Sequence, residues 1–209
     1  MTQAQSPAAE AALLYLVRHG ESTWNAEGRC QGQSATAGGL SPAGHTQAKA
    51  TAQELVKKLA SDQQSRAESI VVSDLLRARQ TAEIIAAELR LPVRVDAELR
   101  EQCLGDLQGR RYRDTWGEGT VQDAIDELWR DPFRRPPGGE SVADMYERVQ
   151  RALLRLATEH TGRLLVVVTH GGVVRTASAD GPPRPGIAMP HTTVDNASIT
   201  SWSTPCPVS

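Results

Sequence analysis

The sequence predicts an α/β fold: a three-layer αβα sandwich on a mostly parallel, doubly wound sheet with helices on both faces. Three observations predict it. Short apolar runs at 13–17, 69–73 and 164–168 alternate with longer segments whose apolar residues recur at helical spacing. That strand–helix alternation is the pattern of a parallel sheet covered by helices. The run Leu164-Leu165-Val166-Val167-Val168 has no polar residue, as a strand buried on both faces requires.

Leu13 to Val17 reads as the first buried strand, and it stops abruptly at Arg18-His19-Gly20. A polar loop rich in Gly, Gln, Ser and Thr then runs through Gly39; it is long for a connection, and long loops in compact domains are often functional. Ser41 is placed to cap the next helix, with Pro42 at its first position. Ala48, Ala52, Leu55, Val56 and Leu59 share one face of that helix. Ile70-Val71-Val72 forms a second strand ending at Ser73-Asp74. The helix after it, to about Arg90, carries Leu76, Ala82, Ile85, Ala86 and Leu89. Pro92 ends it, and Val93-Arg94-Val95 reads as a short edge strand.

Residues 98–113 are irregular, and a helix is expected over about 123–130. Pro132, Pro136 and Pro137 exclude a helix in the linker that follows. Ser141 caps another helix to about His160, with Val142, Met145, Val149, Leu153 and Leu156 inward. The third buried strand ends at Thr169-His170-Gly171-Gly172. Three prolines by Pro185 force the next helix to be short, so 181–190 reads as a loop over the site or a local deletion. An alternation near 197–202 reads as a last edge strand.

The 209 residues suit one domain over 13–209 behind a loose polar tail over 1–12. With one Phe and three Tyr, the core is aliphatic. A net charge of -2 lacks the basic excess of a nucleic-acid binder. No run reaches membrane-spanning length, and the first residues lack the basic start of a signal peptide. A cytoplasmic protein with no nucleic-acid or membrane partner is expected, with a homodimer as the assembly to look for. Cys30, Cys103 and Cys206 are odd in number and widely spaced, neither a disulfide framework nor a metal pattern. No cofactor and no metal are expected.

The chemistry sits at strand ends. Two buried strands end in His-Gly, at His19 and His170, and parallel strands bring such ends to one edge of the sheet. Arg18 precedes the first histidine, and Arg77 falls on the first turn of the helix after the second strand. Two guanidiniums with forked donors suit the oxygens of a phosphoryl group. On residue types alone His19 is open between nucleophile, base and metal ligand. Arginines beside the histidines disfavour a cation. A nucleophilic-serine elbow, a P-loop and a dinucleotide fingerprint are all missing.

Leu16-Val17-Arg18-His19-Gly20-Glu21-Ser22-Thr23-Trp24-Asn25 resembles the signature of the histidine phosphatase superfamily, in its phosphoglycerate mutase-like branch. The blocks Leu40 to Ala48, Ser73 to Ala82, Leu99-Arg100-Glu101 with Gly105 to Gly109, Pro137 to Ser141, and Val168 to Gly172 resemble the family's further blocks in the same order. The resemblance implies the following roles. His19 is the nucleophile that becomes a phosphohistidine. Arg18, Arg77 and His170 hold the phosphoryl oxygens. Asn25, Gln31, Gly32 and Gly171 add hydrogen bonds to the phosphate. Glu101 protonates the leaving oxygen and then activates water. The substrate is a small phosphomonoester. The stretch 109–138 is compact, which resembles the phosphatase members more than the mutases, so hydrolysis is expected first. A cofactor-dependent phosphoglycerate mutase is the alternative, and a non-catalytic phospho-ligand module comes third.

Plainer readings stand beside these. Arg77 alone reads as a surface ion-pair residue, Asn25 as a turn cap, and Glu98 as a rival to Glu101. His45 and His160 are expected to be exposed. Arg110, Arg111, Arg113, Arg134 and Arg135 read as a solvated face before an anion grip.

Overall fold

β1 (Leu13–Arg18) opens the sheet in the computed structural model, which describes residues 12–61 and 67–203. A single-turn helix α1 (Thr23–Ala26) follows, then α2 (Pro42–Ser61), β2 (Ala67–Val72), α3 (Leu76–Leu89) and β3 (Val93–Val95). Two 3-10 turns, Ala97–Leu99 and Gly105–Leu107, precede a small hairpin of β4 (Thr115–Trp116) and β5 (Gly119–Thr120). The chain closes with α4 (Val121–Arg130), α5 (Val142–Glu159), β6 (Leu164–Thr169), α6 (Gly171–Ala177) and β7 (Ile199–Ser203).

The main sheet has the order β3-β2-β6-β1-β7. All its pairs are parallel except β1 with β7. β6 lies at its centre and is buried throughout, which is why its sequence is a continuous apolar run. Side chains alternate between two cores. Leu14, Leu16, Val71, Leu165 and Val167 face α4, α5 and α6. Val17, Ile70, Val72, Val166 and Val168 face α2 and α3. This is the three-layer sandwich that the alternation of elements predicts. Among the described residues no helix is long and apolar enough to cross a membrane.

The expected elements are present, and the differences are at their ends. α4 begins two residues earlier than the periodicity places it. Thr120 caps it: its hydroxyl accepts from the Asp123 N–H, and the Asp123 carboxylate accepts from the Thr120 N–H. Asp123, read as the start, is the third residue of that capping box. The β4–β5 hairpin was not expected, because two-residue strands are too short to carry an alternation. His160 is not an exposed helical residue. It is the C-cap of α5, and its side chain is only 16% exposed. The tail expected over 1–12 lies, apart from buried Ala12, outside the described residues, as does Cys206.

Candidate active site

The sheet register assembles the site. Arg18 of β1 stands opposite Thr169 of β6, and Val72 of β2 stands opposite Val168. The next residues along, His19, His170 and Ser73, therefore emerge side by side at the carboxyl edge, where open α/β sheets bind ligands. The His19 N–H donates to the Thr169 carbonyl (2.9 Å) and the Ser73 N–H to the Val168 carbonyl (3.1 Å). The two imidazoles meet edge to face with centroids 5.2 Å apart. The turn after β1 approaches α2 backbone to backbone. A Cβ added at Gly44 would lie 1.9 Å from the Glu21 carbonyl oxygen, so glycine is required there.

A cavity of about 170 Å³ opens at this edge. Arg18, His19, Asn25, Gln31, Gly32, Arg77, Glu101 and Gly171 all line it. His170 is fully buried behind His19 and is not part of the wall. Arg77 is 2% exposed, not a surface residue, because the register turns the first turn of α3 into the site. Its Nε–H donates to His19 Nε2 (3.1 Å) and its NH2 group to the Gly32 carbonyl (2.9 Å).

Those contacts assign the His19 tautomer. A guanidinium only donates, so Nε2 carries the lone pair. Nδ1 carries the proton, which it gives to the Gly20 carbonyl at 2.7 Å. Burial, then Arg77, then Arg18 hold the pKa of His19 well below the ordinary histidine value. His170 is held down in the same way by burial, Arg77, His19, Arg148 and Arg18. Burial brings Arg77 down to about 10, which leaves it cationic at neutral pH.

Both imidazoles are thus neutral when folded, whereas an unfolded histidine takes up a proton near pH 6.5. Below that pH the unfolded chain binds more protons than the folded one, so stability falls as pH falls. Between pH 7.5 and 5.5 the pair is expected to cost about 3 kcal/mol of unfolding free energy. Urea unfolding at the two pH values measures it, and equal stabilities would contradict the neutral pair.

Arg18 donates through NH1 to the Val194 carbonyl, but its Nε–H is buried without a partner, as is Nδ1 of His170. Nε2 of His170 lies 2.8 Å from Ser73 Oγ. An orphaned buried polar atom costs about 1–3 kcal/mol, and the Arg18 Nε–H, on a residue of the cavity wall, is a donor suited to an anion. Neither α3 nor α6, whose first turns reach the site, has a side-chain cap. The Oδ1 of Asn25 accepts from the Ser22 N–H (3.1 Å). Asn25 is therefore both a turn cap and part of the wall, with its Nδ2 group left to donate.

Glu101 holds its carboxylate between two main-chain donors, Gln102 N–H at 2.9 Å and Gly172 N–H at 3.1 Å. A Cβ at Gly172 would sit 2.1 Å from Glu101 Oε1, so a larger residue there would displace the carboxylate. Glu98 is elsewhere, paired with Arg151 (3.0 Å) and Arg155 (3.3 Å). Glu21 accepts from Ser41 Oγ at 2.6 Å.

Sequence reasoning missed much of the outer wall. Gln102, Leu104, Tyr112, Gln122, Ile125, Trp129, Gly172, Arg175 and His191 also line the cavity. Arg175 lies over the Trp129 ring (5.3 Å), and its Nε–H donates to the Thr192 carbonyl at 2.7 Å. His191 stacks on Trp129 with centroids 5.3 Å apart. The stretch 181–190 is a loop pinned to α4 by Met189 N–H on the Trp129 carbonyl (2.8 Å), and it delivers His191 to the wall. Gln122, Ile125 and Trp129 recur at three- and four-residue steps along α4, a pattern that marks a face but not what it faces. The five arginines at 110, 111, 113, 134 and 135 do not line the cavity. Arg110 lies over Trp116 (4.7 Å), Arg134 pairs with Glu127 (3.7 Å), and Arg135 pairs with Asp144 (2.7 Å).

A family model described as the histidine phosphatase superfamily (branch 1) matches residues 14–204. Phosphoglycerate mutase-like protein 4 of Arabidopsis thaliana is 39% identical over 166 residues, spanning 79% of this chain and 69% of that protein. The metal-independent phosphoserine phosphatase of the same plant is 37% identical over 169 residues, spanning 79% and 67%. Among solved structures, a mycobacterial glucosyl-3-phosphoglycerate phosphatase complexed with VO3 superposes with a TM-score of 0.74 and 32% identity, over 93% of this chain and 92% of that one. Two histidines and two arginines gathered at one sheet edge, in a chain matched over nearly its whole length, lead to one conclusion: this chain belongs to the histidine phosphatase superfamily, branch 1.

Proposed function

We propose that this protein hydrolyses small phosphomonoesters through a phosphohistidine at His19. The observation that carries the reading is the His19–Arg77 contact: a neutral imidazole with its Nε2 lone pair at the cavity and a buried cation beside it. Nε2 forms a bond to phosphorus while the bond from phosphorus to the leaving oxygen breaks. Glu101 gives that oxygen a proton. A water then attacks the phosphohistidine, Glu101 takes its proton, and inorganic phosphate leaves with His19 neutral again.

Charge stabilisation of the transferring group is the largest expected contribution, and Arg18, Arg77 and His170 supply it. The Leu75 N–H donates to Ser73 Oγ (3.4 Å), and in this reading the Ser73 hydroxyl donates to His170 Nε2 (2.8 Å). Nδ1 of His170 then carries a proton free for a phosphoryl oxygen. Gln31 Oε1 accepts from the Ser22 hydroxyl (2.8 Å), which keeps its Nε2 as a donor. Gly32 and Gly171 bring main chain to the same wall.

The substrate class is a small phosphorylated metabolite, in keeping with a cavity of about 170 Å³ and relatives named for phosphoserine and glucosyl-3-phosphoglycerate. No nucleic-acid or membrane partner and a cytoplasmic setting belong to the same reading. So does a homodimer, and Val93 and Val95 on the edge strand β3 are exposed apolar surface for a second copy to cover. Hydrolysis is favoured over the mutase reaction because Arg110, Arg111, Arg113, Arg134 and Arg135 do not line the cavity. Turnover of p-nitrophenyl phosphate, with hydrolysis of 3-phosphoglycerate faster than its isomerisation, is the expected result. Failure to hydrolyse any phosphomonoester would remove the reading, and dominant isomerisation would replace it with the mutase.

A further inference from the structure

We propose that Arg148 and Glu140 form a half-buried positioning pair that aims Glu101 at the leaving oxygen. The inference rests on the reading of Glu101 as the acid. Glu101 lies between two 3-10 turns, on a stretch with no helix or strand of its own to hold it. α5 supplies the support from outside. Arg148 NH1 donates to the carbonyls of Glu98 (2.6 Å) and Arg100 (2.9 Å), and its NH2 to that of Glu101 (3.4 Å).

The same guanidinium is paired with Glu140 at 2.6 Å, and the two side chains are only 17% and 18% exposed. Glu140 Oε1 in turn accepts from the Cys103 N–H (2.9 Å), two residues beyond the acid. Gln33 Nε2 closes the ring, donating to the Glu101 carbonyl (2.8 Å) and to Glu140 (3.4 Å). The main chain on both sides of Glu101 is therefore held by one ion pair. Its planar fork matches the converging carbonyls in a way that lysine would not. An exposed pair is worth little, but this one is sheltered and sits inside a hydrogen-bond network.

A merely structural pair would lower activity on every ester alike; a positioning pair would not. A p-nitrophenolate leaves with little need of a proton, whereas an alkoxide needs one. The ratio kcat/KM reads steps up to phosphoenzyme formation, and so isolates leaving-group protonation. Arg148→Met is expected to lower kcat/KM on glycerol-2-phosphate about 100-fold more than on p-nitrophenyl phosphate, the size of a lost proton transfer. Glu101→Gln should show the same skew.

Glu140→Gln keeps the side chain's shape and its acceptor for Cys103 N–H while losing the charge. It should show a smaller skew of the same sense, and it decides the matter if Arg148→Met does not fold. Equal losses on both esters, or none, in folded variants would overturn the positioning role while the wild-type turnover leaves the phosphatase reading standing. A wild-type protein inert toward both esters would overturn both.

Discussion

His19→Ala is expected to abolish turnover and phosphoenzyme together. The loss should be on the order of 10⁵-fold, as for removal of a covalent nucleophile whose supporting groups remain. Deleting the ring removes the Nε2 that faces Arg77 at 3.1 Å, but leaves Arg18 and Arg77 on the cavity wall. Phosphate or vanadate should therefore still bind. The measurement is rapid-quench labelling with a radioactive phosphomonoester: an acid-labile, alkali-stable label in the wild type and none in the variant. A variant that keeps the label, or half the turnover, would place the nucleophile elsewhere.

Arg77→Met should lower kcat/KM by about 10²- to 10³-fold, the size of losing one preorganised donor to the transition-state charge. It should also change the pH profile. Arg77 follows burial as a cause of the low pKa of His19, so its removal raises that pKa part of the way back toward the ordinary value. A protonated His19 has no lone pair to attack with. The variant should thus lose kcat/KM at a higher pH than the wild type does as the pH falls. Profiles of kcat/KM from pH 5 to 8 test this. Parallel wild-type and variant curves would show that Arg77 binds phosphate without tuning the nucleophile.

Much of the fold was legible because it rests on local patterns. The uninterrupted run at Leu164–Val168 is what a strand at the centre of a parallel sheet must look like, and it is one. Ser41-Pro42 and Ser141 mark helix starts by the chemistry of their unpaired N–H groups. The candidate site was legible where it stands at strand ends, since His-Gly after two buried strands brings two histidines to one edge whatever the loops do. The outer wall was not legible. Arg175, His191, Tyr112 and Trp129 reach the cavity from two helices, a loop and a turn whose spacing records only which face is inward.

The sequence by itself determined the sandwich, the edge of the sheet that carries the site, and the set Arg18, His19, Arg77, Glu101 and His170 that meets around it. The sandwich, the edge and the meeting of Arg18, His19, Arg77 and His170 follow from periodicity and from residue types at the ends of regular elements, whereas Glu101 was singled out by the family resemblance. Only the tertiary structure decided the proton on His19, the burial of His170, and the absence of the five arginines from the cavity wall. It also decided that Arg148, from a helix some fifty residues away, holds the chain around Glu101. Each of these depends on which donor lies within about 3 Å of which acceptor, and such distances exist only once helices from distant segments have packed on the sheet.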